Sequence, residues 1–163
     1  MTHGPLLAAS LVALAGAALV GGTLFGFSAF VMPGLGRVPP AEGLRAMQAI
    51  NAAALRPAFL AAFLGAAAAS VVVGAWALVG EAAGPARSAL LAGSLLYLVG
   101  VFAVTAVVHV PRNEALAAVD ADTRGAPEAW ARYRRTWTVW NHVRAAAGLA
   151  ATVAYGLALR SGS

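Results

Sequence analysis

Eight residues, Trp137-Thr138-Val139-Trp140-Asn141-His142-Val143-Arg144, carry two indoles, an amide, an imidazole and a guanidinium into the mouth of an otherwise apolar segment. A charged side chain near the centre of a bilayer costs roughly 2.5–3.5 kcal/mol on insertion scales, so an ionisable group entering such a run marks a candidate site for holding a ligand or moving a proton. Trp130, Tyr133/Arg134, Trp137, Trp140/Asn141 and Arg144 recur at spacings of three and four, which places them on one stripe of a helix beginning near Pro127-Glu128. Trp130 and Tyr133 suit interfacial anchoring, because aromatic rings collect at the membrane–water boundary. Asn141 and Arg144 continue the stripe into the apolar run, where an inward position is expected. Arg144 could alternatively snorkel back to headgroups from one turn inside.

A second set lies in Val108-His109-Val110-Pro111-Arg112-Asn113-Glu114-Ala115-Leu116. Pro111 is expected to end an apolar helix, and Asn113 to cap a short amphipathic one with Glu114 at its positive end. The functional alternative turns Glu114 to the bundle as a proton acceptor, with Arg112 supplying positive charge beside it. A third set, Gln48 and Asn51, belongs to a segment in which Pro40 suits a helix start and Leu44, Met47, Asn51 and Leu55 share one face. This segment reads as an interfacial helix leading to Pro57, which kinks or restarts the chain. Its two amides either face the same site or merely bond headgroups and backbone. His109 and His142 bracket the third connection on one membrane side, so ligation of a metal or haem, with Glu114 or Asn51 nearby, is a minor reading. His3, near the opposite terminus, is not expected to take part.

Composition decides what positions these residues. Of 163 residues, 61% are hydrophobic and 10% charged, and mean hydropathy is +0.78, whereas a soluble domain carries roughly 25% charged residues. Four apolar stretches, at about 5–32, 58–79, 88–108 and 138–159, each suffice for a hydrocarbon core that takes about 20 helical residues. The expected architecture is all-α: one integral membrane four-helix bundle over residues 1–163, with short amphipathic or interfacial helices in the first and third connections. No second domain is expected, and Glu81-Ala82-Ala83-Gly84-Pro85-Ala86-Arg87 reads as a turn. Met1-Thr2-His3-Gly4-Pro5 lacks a basic n-region and the first apolar run is long for a secretory signal, so that run is expected to stay as a helix. Cysteine is absent, which excludes a disulfide framework, a thiolate metal site or a redox dithiol from this chain alone.

All eleven basic residues are arginine. Arg37, Arg45, Arg56, Arg112, Arg124, Arg132, Arg134, Arg135 and Arg144 flank the first and third connections, while Arg87 and Arg160 lie on the other side. Under the positive-inside rule the first and third connections are expected in the cytoplasm, with both termini outside the inner membrane. A pI near 11.1 then points to anionic membrane lipids and not to nucleic acid. Gly22-Thr23-Leu24-Phe25-Gly26, continued by Ser28, and Gly65 with Ala69 follow the small-xxx-small spacing of close helix contacts, within the bundle or between protomers, which leaves a homo-oligomer open.

Four stretches in order resemble the successive motifs of the anthrone oxygenase-like family of small four-helix membrane proteins: Phe27-Ser28-Ala29-Phe30-Val31-Met32-Pro33, Met47-Gln48-Ala49-Ile50-Asn51, Val110 to Leu116, and Trp130 and Tyr133 with Trp137 to Arg144. The resemblance covers nearly the whole chain. It implies an oxygenase similar to the fungal enzymes that convert polyketide anthrones to anthraquinones without an evident organic cofactor. An anthrone methylene is acidic because its carbanion is an extended phenolate, so a base and cationic or amide donors can make the substrate electron-rich enough to meet dioxygen. On this resemblance Arg144 and Asn141 hold the oxyanion, Glu114 or His109 is the base, Trp137 and Trp140 wall a flat ring, and Gln48, Asn51, Arg112 and Asn113 complete the polar end. Arg112 stands where the family pattern often has an aliphatic residue, which changes the charge of the pocket.

The expected function is a membrane-embedded oxygenase-like protein acting on an apolar aromatic small molecule, with no cofactor. The alternative is a non-catalytic membrane protein in which the same pocket holds a lipid, a quinone or a partner helix. Glu114→Gln or His109→Gln that keeps ligand binding and loses oxygen consumption would separate the two.

Overall fold

The structure, a computed structural model, describes residues 4–80 and 84–161. His3 and residues 81–83 of the expected turn lie outside the described residues. Four long apolar helices run through the chain, α1 (Gly4–Leu35), α3 (Pro57–Val79), α4 (Gly84–Ala117) and α5 (Ala126–Ser161), and a shorter helix, α2 (Pro40–Ala54), joins the first two. Each long helix exceeds the roughly 20 residues needed to cross a hydrocarbon core. Leu19, Phe30, Val79, Val107 and Val153 are exposed on the outside of the bundle, where only lipid can cover them. The chain is a multi-pass membrane protein built as an all-α four-helix bundle.

Packing closes the helices into a ring. α1 lies against α3 and α5, and α4 lies against the same two. A backbone-to-backbone crossing brings α1 and α5 together at Gly21 and Gly148, where a Cβ on Gly148 would stand 2.9 Å from the Gly21 Cα. Gly22 and Gly65, expected at helix contacts, face open space, and the crossings use the neighbouring Gly21 and Ala66 instead, with a Cβ on Gly16 only 2.5 Å from that of Ala66. One residue is about 100° of helix, so the register moves the contact to another face.

The helices are longer than the apolar runs alone required. α4 does not end at Pro111. Its backbone widens into π-helical turns over Leu96–Ala103 and Thr105–His109 and returns to α-helix at Val110–Ala117, so Pro111 sits in a first turn, where its missing N–H is tolerated. α1 repeats the device, with π-helical turns at Phe27–Val31 placed just before Pro33. Asn113 consequently lies inside a helix instead of capping one, and the amphipathic stretch of the third connection is continuous with α4.

These extensions and α2 build a second core at one end of the bundle. Met32, Leu44, Met47, Leu116, Ala126, Trp130, Tyr133 and Trp137 are buried together there. Trp130 and Tyr133 are therefore core residues rather than interfacial anchors. Pro40 opens α2 and Pro57 restarts the chain as α3; Leu55, expected to share a face with Leu44 and Met47, is 70% exposed whereas those two are buried, and the helix has already ended at Ala54. An exposed ion pair joins Arg45 of α2 to Asp122 in the third connection, and this hydrogen bond and charge hold the Arg45 guanidinium above its ordinary pKa. Such a pair orients the connection more than it stabilises it.

Candidate functional site

The inward stripe of α5 is the spine of the site. Trp130, Tyr133, Trp137, Asn141 and Arg144 are all buried, at steps of three and four that keep them on one side of the helix. Arg144 is only 6% exposed. Its Nη1 donates to Thr105 Oγ1 at 3.0 Å and its Nη2 to Asn141 Oδ1 at 2.6 Å. The two N–H groups of Asn141 are also spent, on the Leu24 carbonyl and Ser28 Oγ of α1, each at 2.7 Å. Asn141 thus positions the guanidinium and has no donor left for an oxyanion, contrary to the role that the resemblance implied for it. Thr105 closes the arrangement by donating to the Val101 carbonyl at 2.7 Å.

His109 reaches the same place from α4. Its ring is 1% exposed and meets Trp137 edge-on, with centroids 5.2 Å apart. Nε2 lies 3.4 Å from the Trp137 carbonyl. The Val104 carbonyl also bears on the ring, so two backbone acceptors compete for its proton; Nδ1 offers a lone pair in the tautomer that donates from Nε2 to Trp137. Trp137 in turn carries the Arg144 guanidinium over its ring at 5.4 Å and touches Phe27 at 5.9 Å. Three polar atoms in this trio, in which His109 and Arg144 both meet Trp137, are buried without a partner: Arg144 Nε, Trp137 Nε1 and His109 Nδ1. Two can only donate and one can accept.

The charge at this point is uncompensated. Among the described residues the ion pair is that of Arg45 with Asp122, and no carboxylate approaches Arg144. A buried guanidinium without a counter-charge is strongly unfavourable unless something anionic completes it. Hydrogen bonds from Thr105 and Asn141, together with the indole face, offset part of that cost.

Outside this trio the structure distributes the expected residues differently. Tyr133 accepts from Asn51 Nδ2 at 3.2 Å and donates to Asn113 Oδ1 at 2.9 Å, linking α2, α5 and α4. Gln48 Nε2 donates to the carbonyls of Leu116 and Val119, both at 2.9 Å, and so caps the end of α4, where carbonyls lack partners within the helix. Arg112 Nη1 is bonded to the Val108 carbonyl at 2.8 Å. Glu114 and His142 are exposed and stand apart from the buried trio. Trp140 is 39% exposed and walls nothing there. Among the described residues no three His, Cys, Asp or Glu side chains gather where a metal ion would be held. Thr105 and Phe27 were not singled out by type. The spacing of Thr105 four residues before His109 in an apolar run is the signal that places it on the same face.

Two clefts open beside the aromatic end. One of about 310 Å³ lies between Met32, Pro33 and Arg134, Arg135, Thr138; the other, of about 400 Å³, lies between Arg112, Leu116, Val119 and Arg132, Tyr133, Thr136. Tyr133 is the wall shared by the second cleft and the buried stripe, since its ring stands 6.5 Å from that of Trp137.

No curated protein and no solved structure matches the chain. The family model for anthrone oxygenase does, over residues 47–154, a span that contains the second half of α2, all of α3 and α4, and α5 as far as Ala154. This family supports an oxygenase-like membrane protein in general. With well over half of its length matched, the chain belongs to the anthrone oxygenase family.

Proposed function

We propose that this protein oxidises a flat aromatic substrate with an acidic methylene, of the anthrone type, using the buried trio of Arg144, Trp137 and His109. The observation that supports the reading most is the set of unpartnered groups. Arg144 Nε and Trp137 Nε1 are donors free for an oxyanion, and His109 Nδ1, in the tautomer with the proton on Nε2, is an acceptor free for a proton. His109 takes one methylene proton, and the electron pair left behind spreads to the carbonyl oxygen, where the two donors stabilise it. The carbanion reduces dioxygen and forms a C–O bond, giving a hydroperoxide once the oxygen is protonated. Loss of the second C–H proton and cleavage of the O–O bond release water and leave a carbonyl. Anthrone plus dioxygen thus becomes anthraquinone plus water, with every electron supplied by the substrate, so this reading calls for no organic cofactor. Glu114, exposed, is not the base in this scheme.

The same reading places the protein in the inner membrane with the first and third connections in the cytoplasm. Nine arginines on that side against two on the other support it. An apolar aromatic ligand and dissolved oxygen both partition into the bilayer beside the trio.

The test uses protein purified in mild detergent, with oxygen uptake and anthraquinone formation measured above the spontaneous rate. Wild-type protein accelerates both, and His109→Gln lowers the acceleration by about 10²–10⁴-fold while retaining anthraquinone binding. Binding without acceleration in the wild type overturns the catalytic reading in favour of a carrier. A Soret band or stoichiometric metal in the active preparation overturns the cofactor-free route.

A further inference from the structure

The second cleft carries a charge pattern that the oxidation itself does not use. Arg112 and Arg132 stand on its opposite walls, from α4 and α5. Among the described residues no carboxylate lines it, and neither guanidinium has an acidic partner. Leu116 and Val119 make one side apolar, and Tyr133 and Thr136 lie across from them. Gln48 braces the apolar side from behind by binding both the Leu116 and Val119 carbonyls. Arg112 is itself held, through Nη1 to the Val108 carbonyl, with further N–H groups left over. Two unpaired guanidiniums flanking a partly apolar slot recognise a planar anion, because their forked donors match a carboxylate edge.

We propose that this cleft binds the carboxylate of an aromatic acid, so that the protein's ligands are acid-bearing polycycles and not neutral ones. The inference rests on the aromatic-ligand reading above. It extends that reading through Tyr133, which lines the cleft and faces Trp137 of the buried trio. A cleft of about 400 Å³ also falls within the range of small-molecule sites.

The experiment compares anthraquinone-2-carboxylate with 2-methylanthraquinone, binding each to the full chain in dodecyl maltoside by tryptophan quenching at low and high salt. The acid is expected to bind about tenfold tighter at low salt, with the difference shrinking as salt rises. Arg112→Gln and Arg132→Gln each remove most of that preference and leave affinity for the neutral probe unchanged, which also reports that the variants are folded. Equal affinity for the two probes in the wild type, or a preference that survives in the double variant, overturns the proposal. Displacement of the acid by phosphatidylglycerol in nanodiscs, with the same dependence on Arg112 and Arg132, overturns it in favour of a lipid headgroup. Failure of the oxygenase reading alone would show as intact carboxylate preference with no oxygen uptake.

Discussion

Arg144 and Asn141, one helical turn apart on α5, form a donor–acceptor pair at 2.6 Å in which the amide is anchored to α1 and the guanidinium to α4 through Thr105. One side chain therefore holds another in a place that three helices define. Asn141→Ala would leave Arg144 Nη2 and Ser28 without the partner they share, an expected loss of about 2–6 kcal/mol since each buried unsatisfied group costs about 1–3. Asn141→Asp should instead neutralise Arg144, weakening a phenolate probe by about tenfold or more, with a stability cost of its own because a carboxylate oxygen would face the Leu24 carbonyl where the amide N–H now donates. Unfolding curves and probe titrations on the two variants check both halves, and an Asp variant that binds the phenolate as well as wild type would remove Arg144 from the site.

Trp137→Phe deletes the orphaned Nε1 donor and also trims the indole to a single ring beside His109 and Arg144. The cavity left by a buried large-to-small change outweighs relief of one unsatisfied N–H, so stability should fall, by about 1–3 kcal/mol. Turnover should fall by about 10²-fold if that N–H serves the oxyanion. An unchanged rate in the folded variant makes Trp137 a wall and nothing more.

Tyr133→Phe breaks the links to Asn51 and Asn113. The expected cost is about 1–3 kcal/mol, since two amides lose a partner, with oxygen uptake changed by less than about threefold because the hydroxyl does not touch the trio. A much larger loss of rate at full stability would move the hydroxyl into the chemistry.

Gly148→Ala tests the crossing on which the trio depends. Its Cβ would meet the Gly21 backbone at 2.9–3.4 Å, and backbone cannot step aside as a side chain can. An overpacking cost of about 1–3 kcal/mol is expected. Asn141, whose hydrogen bonds cross the same interface at Leu24 and Ser28, should lose its hold on Arg144 and reduce activity with it. Gly22→Ala, which points into open space, is the matched control and should leave both unchanged.

Long signals in the sequence were legible and short ones were not. Four apolar runs gave the bundle because length alone decides a crossing, and the spacing of Trp130, Tyr133, Trp137 and Arg144 gave the inward stripe of α5. The choice between Trp140 and Asn141 was not available from spacing, as both continue a three-or-four step from Trp137 and they differ by about 100° on the helix; the structure buries Asn141 and exposes Trp140. Pro111 read as a stop because the π-helical turn that accommodates it has no strong sequence mark. Glu114 and Gln48 were chosen for chemical type. Their places followed from which way α2 and the end of α4 turn, and that is a tertiary property. Glycine is too frequent here, at 18 residues, for its pattern to single out Gly21 and Gly148.

α5 runs for 36 residues without a break, about 54 Å at 1.5 Å per residue, against a hydrocarbon thickness of about 30 Å. The same rod carries Trp130 near its beginning and Arg144 at its middle. A helix of this length answers a thinner or thicker bilayer by tilting, and an unbroken one cannot tilt inside the membrane while its outer end stays still. The aromatic end of the bundle, where Tyr133 meets Asn51 and Asn113, thus belongs to the same continuous helix that crosses the apolar core, with no joint between them.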